Sequence, residues 1–156
     1  MSIIKLGVMS LAIMVFLMAS QIMAYAAGSD DAGHGHQGDS KMSMQEVMQG
    51  LDVEMKNLTG AIIIEDYALI EQSARGIAQH PSPSGAELER IFSILGEDSN
   101  EFKSCDQAVH DLAVKLARAA ERKNMKLILN IYDAMITKTV ECHARFKDRV
   151  ASQKPD

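Results

Sequence analysis

The sequence predicts an all-α protein, an antiparallel up-down-up-down four-helix bundle over residues 41–152. Three observations predict it. After residue 41 the apolar residues recur at alternating steps of three and four, the spacing that draws one stripe down a helix. The 156 residues include 11 Met, 3 Pro and no Trp, which suits packed helices better than a sandwich or barrel. No segment reads as a strand.

Each element has its own signal. Residues 1–26 read as a cleaved signal peptide: Lys5 gives a positive start, residues 6–20 are apolar or small, and Ala24-Tyr25-Ala26 supplies a small-x-small cleavage pattern. The apolar run is shorter than the ~20 residues a spanning helix needs, and no cysteine follows to carry a lipid anchor. The expected location is therefore the periplasm, free of the membrane, with an uncleaved anchor helix as the alternative. Residues 27–40, rich in Gly, Asp, Ser and His, predict a flexible tail that cannot bury surface.

The bundle follows. Met44, Met48, Leu51, Met55, Leu58 and Ile62 form the inner stripe of a first helix. Asp66 suits the N-cap of a second, with Tyr67, Ile70, Ala74 and Ile77 inward, and Pro81 closes it. Ser84 caps a short segment over 86–95, which residues 96–99 stop. A long helix presents Phe102, Cys105, Val109, Leu112, Leu116 and Ala119 on one face. Lys123-Asn124 marks the next turn. The last helix presents Met125, Ile128, Tyr132, Met135, Thr139, Cys142 and Phe146, flanked by Leu129, Ile136, His143 and Val150. Amphipathic helices with short links pack best as an up-down bundle.

Charge and motifs narrow the function. The net charge of −5 becomes −6 when Lys5 leaves with the signal, since that segment holds no acid. An acidic surface argues against nucleic acid or an anionic membrane as partner. The chain has no Gly-rich phosphate loop, nucleophile elbow or His-Glu-x-x-His pair, and neither His110 nor His143 has the Glu three positions earlier that a di-iron bundle needs. No catalysis is expected.

The last helix carries Thr139-Val140-Glu141-Cys142-His143. A c-type haem is attached through Cys-x-x-Cys-His, because two thiols a helical turn apart reach both vinyl groups while the adjacent imidazole sits beneath the iron. Thr139 occupies the first cysteine position, so half of that attachment is missing.

The ending Cys142-His143-Ala144-Arg145-Phe146-Lys147 resembles that of the cytochrome c prime and cytochrome c556-like family. Phe102 opening the third main helix, Ala119-Ala120 before the turn, and Ile77-Ala78-Gln79-His80-Pro81 closing the second add to the likeness. The resemblance implies a periplasmic protein binding one haem for electron transfer or small-gas binding, with His143 as proximal iron ligand and Cys142 as the attachment. It implies a periplasmic redox partner and a homodimer built through outer helix faces. Met48 corresponds in spacing to the axial Met of the b-type relatives and would complete a six-coordinate iron; as core filler it would be no different from Met44 or Met55.

Cys105 opens the alternative. It and Cys142 lie symmetrically about the Lys123-Asn124 turn, on inner stripes, where a disulfide needs α-carbons within roughly 7 Å. An oxidising compartment favours that bond. Either haem is retained, by one thioether or without a covalent link, or it is absent and a Cys105–Cys142 disulfide staples a structural or sensing bundle. In or beside the tail lie His34, His36, Met42 and Met44, which could bind copper or another soft-to-borderline metal, though such a tail could simply be a solvated linker. His110 reads as a partly exposed helical residue. His80 reads as a helix-end residue complementing the dipole.

Overall fold

The computed structural model describes residues 42–152. The signal peptide expected at 1–26 and the tail expected at 27–40, with His34 and His36, lie outside the described residues. Within them the protein is all-helical, with no strand: α1 (Met44–Ile63), α2 (Tyr67–Ala78), α3 (Gly85–Leu95), α4 (Ser99–Glu121) and α5 (Met125–Ala151). Four of these are the main helices and α3 is the short segment. No described helix is long and apolar enough to cross a membrane.

Side chains set the boundaries. Ser43 opens α1 with a capping box: its Oγ accepts from the Glu46 N–H, and the Glu46 carboxylate accepts from the Ser43 N–H at 2.7 Å. Asp66 caps α2 by accepting from the Ala68 and Leu69 N–H groups, both at 3.1 Å. Ser84 caps α3 through the Glu87 N–H, and its own N–H donates to the Met42 carbonyl at 2.8 Å, tying the Pro81–Pro83 link to the start of α1. Asn124 caps α5 through the Leu127 N–H. Residues 96–98 stop α3 at Leu95, as expected. They form a single 3-10 turn that carries the chain straight into α4, and Gly96 takes the left-handed φ of +58° that a side chain would resist.

The larger cluster joins Leu58 and Ala61 of α1, Ile70, Ala74 and Ile77 of α2, Ala113, Leu116, Ala117, Ala119 and Ala120 of α4, and Ile128 and Met135 of α5. α2 packs on both α1 and α4, and α4 packs on α5. Contact between α1 and α5 includes a hydroxyl pair, Thr59 Oγ1 and Tyr132 Oη at 2.7 Å. A smaller cluster holds Ile91 and Leu95 of α3 with Phe146 and Val150 of α5. Met44, Phe92, Ile94, Phe102, Cys105 and Cys142 pack around it. Every residue of the inner stripes predicted on α4 and α5 is buried or half-buried, while the flanking Leu129 and His143 are exposed.

The stripe on α1 differs at one position. Val47 is buried at 2% exposure, whereas Met48 is 36% exposed. Steps of three then four, or four then three, both join Met44 to Leu51, so spacing alone cannot choose between Val47 and Met48. The packing chooses Val47.

Candidate functional site

Cys105 and Cys142 come together where α4 meets α5. Each is half-buried, and each packs on the cluster built around Phe146. The two thiols are free, and Cys105 is close enough to be a hydrogen-bond partner of the Cys142 thiol. Aromatic rings cover one side: Phe102, one turn before Cys105, meets Phe146, one turn after Cys142, edge-to-face at 5.5 Å between centroids.

The electrostatics hold Cys142 neutral. Burial pushes its thiol up to about 12, Cys105 adds to the rise, Asp106 adds further, and Lys138 opposes it. Lys138 itself pairs with Glu141 at 2.6 Å. Asp106 faces His80, whose Nε2 lies 3.6 Å from its carboxylate and whose Nδ1 lies 3.1 Å from the Pro81 carbonyl. With both ring nitrogens facing acceptors, His80 favours its protonated form. Sequence reasoning placed His80 at a helix end, where it stands, but gave it no partner. No sequence signal marked Asp106 as that partner, because the contact depends on how α2 meets α4.

Beyond Phe146, Arg145 and Arg149 clasp the start of α4. Arg149 donates to Asp98 at 2.7 Å, and Arg145 pairs with Asp98 and Glu101. The Asp98 carboxyl is held below its ordinary value, first by Arg149 and then by Arg145.

The other predicted site residues are not gathered here. His143 is exposed, because its neighbour Cys142 takes the inward direction and successive helical residues diverge by about 100°. Met48 is the exposed residue beside Val47 rather than an inner-stripe residue. Thr139, in the first-cysteine position, turns its hydroxyl onto the Met135 carbonyl of its own helix at 2.9 Å. These residues do not fit a haem clasped inside the helices between Met48 and His143. Two grooves lie elsewhere. One of about 230 Å³ runs between α2 and α4 beside Arg75, His110 and Glu121. The other, of about 300 Å³, lies between α1 and α5 beside Met55, Thr59 and Tyr132. His110, on the rim of the first, contacts Asp111 and Gln107 at the surface.

Among the described residues, no three or more His, Cys, Asp or Glu side chains are grouped to hold a metal. The site thus defines an all-helical protein with an inward pair of thiols. The chain matches no known protein family, no curated protein and no solved structure.

Proposed function

We propose that this chain is an exported protein, an antiparallel up-down-up-down four-helix bundle in which Cys105 and Cys142 form a reversible disulfide staple. Its role is structural or sensing rather than catalytic. One observation carries the reading: the two thiols meet inside the α4–α5 seam while the adjacent His143 faces solvent. The export signal read in residues 1–26 supplies the oxidising compartment.

The chemistry balances with a disulfide-bearing exchange partner as oxidant. A Cys105 thiolate attacks one partner sulfur, and the partner's second sulfur leaves as a thiolate. Cys142 then attacks the mixed disulfide, releasing the partner's remaining thiolate. Two protons leave the protein, two electrons pass to the partner, and one S–S bond replaces another. Closing this loop stabilises the fold by roughly 3 to 4 kcal/mol in the chain-entropy view.

A second reading keeps haem, through one thioether at Cys142 or without a covalent link. It is favoured by the inward thiol directly preceding His143 on α5. Intact mass and a visible spectrum of protein exported by a host that matures c-type haem decide between them. The staple predicts no Soret band and a mass two hydrogens below the reduced chain. A Soret band with a haem's added mass would install the second reading instead, as would a Soret band without it.

A further inference from the structure

The same two thiols, when reduced, suit a ligand as well as a bond. We propose that the Cys105–Cys142 dithiol binds one Cu(I) ion. The inference rests on the juxtaposition that the staple also requires, and adds a ligand to it.

The donor set selects the ion. Two half-buried sulfurs face one another, and among the described residues no third His, Cys, Asp or Glu joins them. Zn(II) in a structural site takes four ligands, so two thiols leave it short. Cu(I) is soft, prefers thiolate and thioether, and is satisfied by two thiolates on opposite sides. Met44, the first residue of α1, packs on the same cluster and brings a thioether to this end of the protein.

The surroundings agree with that choice. Phe102 and Phe146 shield one side, which disfavours a strongly hydrated divalent ion more than a soft monovalent one. Binding releases both thiol protons: two S–H bonds give way to two S–Cu bonds, with no change of oxidation state. The product carries one net negative charge. The disulfide and the metal complex exclude each other, since each uses both sulfurs.

Anaerobic titration of the reduced mature chain with Cu(I), against a chromogenic Cu(I) chelator, tests the proposal. One Cu(I) per chain is expected, with both thiols protected from iodoacetamide and only sulfur seen around copper by X-ray absorption. Cys105→Ser and Cys142→Ser should each abolish the binding, while His34→Ala with His36→Ala should leave it intact. Copper that survives the double serine variant, or that is lost with the two histidines alone, would overturn the assignment. So would nitrogen ligands or unprotected thiols in the wild-type chain, a readout that does not depend on any variant folding. Air-oxidised protein separates the two proposals. A disulfide without Cu(I) uptake by the reduced chain sinks only the metal site, whereas failure of both means the sulfurs do not meet.

Discussion

At the scale of single residues, one helical step separates Cys142, turned inward, from His143, turned to solvent. Reduction of the staple should therefore lower stability by roughly 3 to 4 kcal/mol, read as the difference in urea unfolding between oxidised and reduced protein. Cys142→Ala should remove that difference; an unchanged gap would mean the bond is not there. His80 makes a separate prediction. Asp106 holds the proton on its imidazole above the ordinary range, burial opposes this, and the Pro81 carbonyl assists. Because the folded value is raised, His80 contributes its full stabilisation below the unfolded value of 6.5. That stabilisation is lost as pH rises through the folded value. Wild-type protein should thus lose stability through this group as pH rises above 6.5, and His80→Gln should flatten that part of the curve. The cysteine pairing was legible from sequence, since symmetry about a turn is local arithmetic. The His80–Asp106 pairing was not, because it depends on where α2 stops against α4.

Among the elements, helix ends were the most readable features. Asp66 and Ser84 announced themselves as caps by type and position, and both accept the expected backbone hydrogens. Ser43→Ala should cost about 1 kcal/mol by removing the capping box of α1, measured by chemical unfolding. Glu65 and Lys123 take left-handed φ values of 55° and 51° without being glycine, so neither link carried the residue that normally signals such a turn. Mid-helix glycines were not informative either. A side chain at Gly50 or Gly60 would meet nothing within 4 Å, so Gly50→Ala or Gly60→Ala should stabilise α1 by roughly 0.5 to 1 kcal/mol. The inner face of α1 misled at Met48, because two step patterns were equally compatible with its neighbours. On α5, the longer run of apolar positions left no such freedom.

Across the whole molecule, the two clusters divide the labour. The larger one fixes the four main helices, and the smaller one holds α3 over the α4–α5 seam that contains the thiols. Phe146 is 1% exposed and joins ring packing to the cysteines. Phe146→Ala should cost roughly 3 to 5 kcal/mol and should also quicken alkylation of Cys142 in the reduced protein. A loss of stability with no change in alkylation would show that the ring does not shield the thiol. The all-helical class followed from periodicity, which every element obeys. Which residues of the last helix's motif face inward did not follow, because a motif states which residues are adjacent in sequence and leaves their direction to packing.

The link between α4 and α5 is short and exposed at Arg122 and Lys123. Once the two cysteines are joined, the stretch between them becomes a covalent ring, and the peptide bonds of its tip no longer decide whether the pieces stay together. A single tryptic cut there would yield a two-chain protein that migrates as one band until reductant is added, then parts into two. Protein clipped at this tip would then persist as an intact fold in an oxidising medium, and would come apart on meeting a thiol reductant.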